Sequence, residues 1–329
     1  MANKVKKTSI IMEKNEVKIS IKHDNIVWTS FEKYVKNYRI KVFKMDDLEM
    51  EFDLMGTEPA FANAFRRIML AEVPSMAIEK VGIRNNTSII QDEVLAHRLG
   101  LIPLKADSRL FEYCQDTSDG TEFDTLEYSL KVKCIKKSQP RNSHMMNDLY
   151  ENHSVYSSQI RWHPLGNQAA VYKEESVGPV HSDILIAKMS PGHELDLQLT
   201  AVKGIGKDHA KFSPVATASY RLLPYIKLKR EVTGQQAELL QSCFCSGVIN
   251  IDSEGRAYVN NARYDNGSRR VFNHEELQDS VEIGKVDNHF IFTVESVGAM
   301  PPSVIFVESV KILRDKCKSL LSELNNFSC

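Results

Sequence analysis

The sequence predicts an α+β fold, and three patterns predict it. Met50, Phe52 and Leu54 alternate with Glu49, Glu51 and Asp53, the period of a strand with one wet face. Just beyond it, Phe61, Phe65, Ile68 and Met69 recur at helical spacing. Near the other end, Phe306, Val310, Leu313, Cys317, Leu320 and Leu324 stand 4, 3, 4, 3 and 4 residues apart, the seam of a helix that packs on another helix at a shallow angle.

In chain order, residues 1–36 are lysine-rich and weakly patterned and read as a partly ordered arm. Tyr38, Ile40 and Val42 alternate with Arg39, Lys41 and Phe43, and Lys44–Asp47 can turn this strand into the one at 49–55 as a hairpin. Gly56 breaks that strand. Thr57 then caps a helix over 57–72, about 24 Å long, with Glu58 and Pro59 in its first turn. A strand is expected at 75–83 and a short helix over 93–99, capped by Asp92 and stopped by Gly100. Residues 107–125 read as a solvated acidic loop. Leu126, Tyr128, Leu130, Val132 and Cys134 alternate with Glu127, Ser129, Lys131 and Lys133, which makes a strand with one buried face. Residues 136–154 are polar and unpatterned. Strands follow at 155–162, 183–189 and 195–201, a helix at 235–245, a strand at 290–295 and the seam helix at 303–324.

Composition bounds the function. The 329 residues suffice for about two domains. With 42 basic and 43 acidic residues the net charge is −1, without the basic excess of a chain that grips nucleic acid on its own. No apolar run approaches the roughly 18 residues that span a bilayer, and no signal peptide is evident. The six cysteines, at 114, 134, 243, 245, 317 and 329, lack framework spacing and fit a reducing interior compartment. The chain reads as a soluble intracellular protein.

Three segments invite a chemical reading. Gly204-Ile205-Gly206-Lys207 resembles part of a phosphate-cradling loop. A Walker loop, however, needs glycine where Ala201 stands and Ser or Thr where Asp208 stands. His97-Arg98 lies on a short amphipathic helix with no nucleophile or carboxylate near it in sequence. Cys243 and Cys245 lack the second pair that a four-thiolate cluster needs and read as structural. No catalytic residue, cofactor or metal is expected. The competing readings are a free-standing enzyme using the Gly204–His209 loop, with Asp208 and His209, and a single-stranded RNA-binding module on the inserted sheet.

Four blocks carry a family resemblance: Ala62-Asn63-Ala64-Phe65-Arg66-Arg67-Ile68-Met69-Leu70 running on to Ala77; Asp92–Leu104, DEVLAHRLGLIPL; Arg161–Gly166 with Ala201–Ala216, AVKGIGKDHAKFSPVA; and 288–324. In this order they resemble the RNA polymerase alpha family, which includes the bacterial alpha amino-terminal domain, its archaeal counterpart and the eukaryotic alpha-like subunits. Only Cys114 and Cys134 lie in the second domain, so the chain is more similar to the type shared by polymerases I and III than to the zinc-bearing polymerase II type.

The resemblance implies a split dimerisation domain of antiparallel strands and two long helices, over 38–83 and 286–329. A mostly-β domain is inserted at 84–222 and a small α/β insertion at 223–285, after the arm of 1–37. It implies a non-catalytic scaffold that forms a heterodimer with a small alpha-like subunit and docks the second-largest subunit. Small zinc-binding subunits, and through the assembly the largest subunits of polymerases I and III, would complete its partners. No membrane contact and no direct sequence-specific nucleic-acid binding are implied, and the setting would be the nucleus, including the nucleolus. The partner-binding residues expected on this basis are Phe61, Phe65, Ile68, Met69, Phe306, Val310, Leu313, Leu320 and Leu324, with Arg66 and Arg67 facing the second-largest subunit.

Overall fold

The computed structural model describes residues 9–12, 17–19, 31–114, 120–137 and 146–327. Most of the arm expected over 1–37 and the centre of the polar stretch at 136–154 lie outside the described residues. The chain is α+β and divides into two compact units, residues 1–44, 51–63 and 219–293, and residues 45–50, 64–218 and 294–329. Its main elements are β1 (Ser9–Met12), β2 (Val17–Ile19), α1 (Phe31–Asn37), β3 (Arg39–Met45), β4 (Glu49–Met55), α2 (Pro59–Ala71), β5 (Pro74–Asn86) and α3 (Asp92–Gly100). After these come β6 (Thr125–Lys133), β7 (Arg161–His163), β8 (Glu194–Ile205), β9 (Val215–Leu228), α4 (Gln235–Ser242), β10 (Val281–Ser296) and α5 (Pro302–Phe327).

The first unit is built on a sheet in the order β2-β1-β10-β4-β3, with β1 antiparallel to both its neighbours and β9 also pairing β10. Part of the expected arm is therefore structured: Ser9–Met12 pairs with Ile283–Val286, and Met12 is buried. Alternation in β4 sends Phe52 and Leu54 inward, where Phe52 stacks on Phe292 with centroids 5.0 Å apart and Tyr220 meets Phe290 edge to face at 5.4 Å. The opposite face of β4 holds a charged cluster. Asp53, almost fully buried, accepts from Arg263 Nη1 at 2.7 Å and is bonded to His289 Nε2 at 2.6 Å, while Arg263 Nη2 pairs with Glu51. The Arg263 guanidinium lies 4.1 Å from the centroid of the Phe43 ring. Gly56 sits at φ +75° with its N–H on Asn288 O, and a side chain there would strike the Asn37 carbonyl, so the break after β4 requires glycine.

A second cluster in this unit gathers Ala237 and Leu240 of α4 with Cys243, Val248, Val271, Phe272 and Leu277. Burial pushes the Cys243 thiol up, so this side chain acts as packing.

The second unit is centred on a four-stranded antiparallel sheet, β7-β6-β8-β5. Leu197 faces Leu130, Leu199 faces Tyr128 and Ala201 faces Leu126 across the ladder, all buried, whereas Glu127, Ser129, Lys131 and Lys133 point the other way. Helix α3 closes this core with Leu95 and Leu99. Burial pushes both the Cys134 thiol and the Tyr128 phenol up.

Several local expectations change. The strand expected at 155–162 is broken: Ser154–Tyr156 pairs with Leu185–Lys188, whereas Arg161–His163 pairs with β6. The break is set by Ser157, whose buried hydroxyl donates to His181 O and accepts from Ile184 N. The expected solvated loop at 107–125 buries Phe111, which stacks on Tyr172 at 5.4 Å. Asp92 lies in the first turn of α3 rather than capping it, and accepts from Asn86 Nδ2 at 2.7 Å.

Candidate partner-docking surface

Helix α2 begins at Pro59, with the Glu58 carbonyl accepting from Phe61 and Ala62. Thr57 does not end up as a simple cap: its buried hydroxyl pairs with that of Tyr34 at 2.8 Å. The apolar stripe of α2 then divides. Phe65, Ile68 and Met69 are closed off inside the protein, whereas Phe61 is 44% exposed, with the Tyr34 ring 6.1 Å away on one side. Arg66 is half-buried and Arg67 exposed.

Helix α5 is 26 residues long, about 39 Å. Its first turns are anchored by Pro302, Ile305, Phe306 and Ser309, all buried, and the Ser309 hydroxyl donates to Phe306 O at 2.7 Å. The Phe306 ring meets Phe65 edge to face, 5.6 Å between centroids. Past this anchor the helix leaves its own core. Val310 is exposed and Leu313 half-buried, and every residue from Arg314 to Asn326 is exposed. Leu320, Leu321 and Leu324 are 60%, 60% and 62% exposed.

At 3.6 residues per turn, Val310, Leu313, Cys317, Leu320, Leu321 and Leu324 fall within an arc of about 100°. They continue the face that Phe306 buries. Lys316 Nζ reaches Glu72 Oε1 at 2.6 Å, an exposed pair of small energetic weight that ties the helix to the residue after α2.

The sequence named this face but did not separate its anchored start from its open remainder. The neighbours Ile305 and Ser309, with Pro302, mark the anchored side and fall outside the seam read from spacing. Leu321 and Val307 (50% exposed) widen the open part.

The glycine-rich segment has a packing role. A methyl group on Gly204 would lie 2.7 Å from the Phe212 ring, and one on Gly206 would run into the Leu70 carbonyl. Lys207 donates its backbone N–H to Ala71 O at 2.8 Å, and the His209 ring accepts from Lys211 N. Protein therefore fills the room beside both glycines. Arg98 donates to the carbonyls of Leu185 and Ile186, which gives it a structural task, and His97 beside it is exposed. Among the described residues no three His, Cys, Asp or Glu side chains come together as metal ligands, and no helix is long and apolar enough to cross a membrane.

Comparison with known proteins agrees with these elements. The family described as the RNA polymerase Rpb3/Rpb11 dimerisation domain matches residues 51–317, from β4 to the exposed part of α5. The mouse protein named DNA-directed RNA polymerases I and III subunit RPAC1 is 54% identical over 298 residues, covering 89% of this chain and 86% of its own length. Its Saccharomyces cerevisiae namesake is 46% identical over 295 residues, 88% of either chain. The Dictyostelium discoideum DNA-directed RNA polymerase II subunit rpb3 is 32% identical over 301 residues, 87% of this chain and 94% of its own. Motif blocks, fold and aligned length agree, and the chain belongs to the alpha-like RNA polymerase subunit family defined by the Rpb3/Rpb11 dimerisation domain.

Proposed function

We propose that the chain is a non-catalytic scaffold of DNA-directed RNA polymerases I and III in the nucleus and nucleolus, and that it pairs with a smaller alpha-like subunit through the open stripe of α5. The carrying observation is that stripe. Every residue of the helix from Arg314 to Asn326 is exposed, so beyond the Lys316–Glu72 pair it draws little from tertiary packing, and isolated helical segments of that length are marginal in water. A partner helix along Val310, Leu313, Leu320 and Leu324 supplies the missing packing, at roughly 1.5–3 kcal/mol for each fully buried leucine. Phe61 is the exposed apolar group on α2. Phe65, Ile68, Met69 and Phe306 hold the two helices in place rather than touch the partner.

On this reading, 38–83 and 286–329 act as the dimerisation domain, 84–222 and 223–285 as the inserted domains. Arg66 and Arg67 face the second-largest subunit, small zinc-binding subunits join the same platform, and nucleotide addition resides in the largest subunits. The similarity to proteins named as shared subunits of polymerases I and III supports this reading.

The test is to recover the amino-terminally tagged chain from native nuclear extract and identify the co-purifying chains by mass. A small alpha-like protein together with the largest subunits of both polymerases is the expected result. A chain recovered alone and monomeric would overturn the reading.

A further inference from the structure

Independently of the helix stripe, β3 presents an open sheet edge. It is the outermost strand of its sheet among the described residues, so one row of its backbone N–H and C=O groups faces β4 and the other faces outward with no strand on it. All seven of its residues are exposed, including Ile40 (44%), Val42 (49%) and Phe43 (48%). Edge strands are commonly blunted by proline, a bulge, shortness or charged side chains, lysine above all, because a bare edge is a template for another strand. On β3 that charge is supplied by Arg39, Lys41 and Lys44, which repel a basic strand and attract an acidic one. The segment Arg39–Met45, RIKVFKM, is seven residues long and holds neither proline nor glycine.

We propose that β3 receives, by strand addition, an extended segment of a partner chain in which apolar residues alternate with acidic ones. The backbone row selects an extended partner, because only a strand can match its donors and acceptors in register. The side chains select the sequence. Phe43 lies on the same face of the sheet as Glu51 and Asp53, since Arg263 stacks on the first and bonds the other two. Arg39 and Lys41 share that face by alternation, with the Lys41 ammonium 4.7 Å from the centroid of the Phe43 ring.

Ile40 and Val42 point to the other face, the one on which Phe52 and Leu54 are buried. A partner strand with apolar residues on this side extends the core past its present edge. One with glutamate or aspartate on the other side meets Arg39 and Lys41. A second copy of β3 is the wrong partner. The strand has three basic residues and no acidic one, so self-pairing offers Arg39 and Lys41 no counter-charge and adds like charge along the edge.

The test uses the full chain and a blocked nine-residue peptide of alternating valine and glutamate, with binding read by fluorescence anisotropy and hydrogen exchange read at residues 39–43. Expected are saturable binding that weakens with salt, slowed exchange at these amides, and at least a tenfold loss of affinity in the Arg39→Glu/Lys41→Glu variant at unchanged thermal stability. That variant should instead prefer a valine–lysine peptide. Peptides N-methylated at alternate residues should not bind. Absence of binding, equal binding of the N-methylated peptides, or protection that grows with protein concentration without peptide would overturn the proposal. The Leu320→Asp variant should bind the peptide as wild type does, which separates this result from the fate of the helix-pairing reading.

Discussion

The ring of Phe65 on α2 meets that of Phe306 on α5 edge to face, with 5.6 Å between centroids and 61° between planes. Both side chains are closed to solvent. The contact is therefore internal to the chain, and its loss is a stability effect. Phe65→Ala and Phe306→Ala should each destabilise the isolated chain by about 3–5 kcal/mol, the range for emptying a buried aromatic site. The double variant should cost less than the sum, because each single change already removes the shared ring contact. Thermal or denaturant unfolding of the three variants checks this; additivity would mean that the rings do not support one another.

The open leucines of α5 should behave in the opposite way. Leu320→Asp and Leu324→Asp change positions exposed in the free chain, so unfolding free energy should stay within about 0.5 kcal/mol of wild type. Each should weaken pairing with the small alpha-like subunit by about 2 kcal/mol or more, roughly 30-fold. Titration of the partner against each variant measures this directly. Unchanged affinity would remove α5 from the interface.

Gly206 and Lys207 separate packing from ligand chemistry within one loop. Gly206→Ala places a methyl group against the Leu70 carbonyl and should cost about 1–3 kcal/mol of stability. Lys207→Ala leaves its backbone N–H on Ala71 and should be neutral to folding. It should also leave nucleotide affinity where wild type has it, at zero. Calorimetry with ATP checks the second point, and measurable binding lost in the variant would reopen the enzyme reading.

Asp107 gives a pH dependence. Its carboxylate accepts from the Arg109 backbone N–H at 3.0 Å and from the Arg109 guanidinium at 2.6 Å, and the Arg109 hydrogen bond holds its pKa below the usual aspartate range. Because the folded-state value lies below the unfolded value of about 3.9, the stabilisation is complete above that pH and is lost as pH falls through the folded value. Asp107→Asn keeps a cap acceptor but removes the charge that pairs with Arg109, and because that pair is partly exposed it should lower stability at neutral pH by about 0.5–1 kcal/mol. The gap to wild type should narrow steadily below about pH 4.

Pattern alone located the elements whose partners are regular neighbours. The alternation of Leu126–Cys134 became β6 at Thr125–Lys133, and the seam spacing became α5. It misplaced what distant polar contacts decide. The break after Tyr156 depends on a hydroxyl that meets residues 181 and 184, and Thr57 is engaged by Tyr34, pairings that no local window contains. Within the helices, periodicity drew the apolar face of α5 but carried no mark for where the core ends along it. Phe306 and Leu324 share an azimuth and differ only in what lies opposite.

The bond from Lys207 N to Ala71 O has a kinetic meaning. It finishes the carboxyl end of α2 with a donor from a distant part of the chain, on a loop whose glycines are fitted against that same helix end. On a ribosome, α2 emerges long before residue 207 exists. Its first turns can form early, but its last turn remains frayed until β8 has been made and has paired with β5. The carboxyl end of the helix that the family signature marks most clearly is thus completed only after the second unit's sheet has been synthesised.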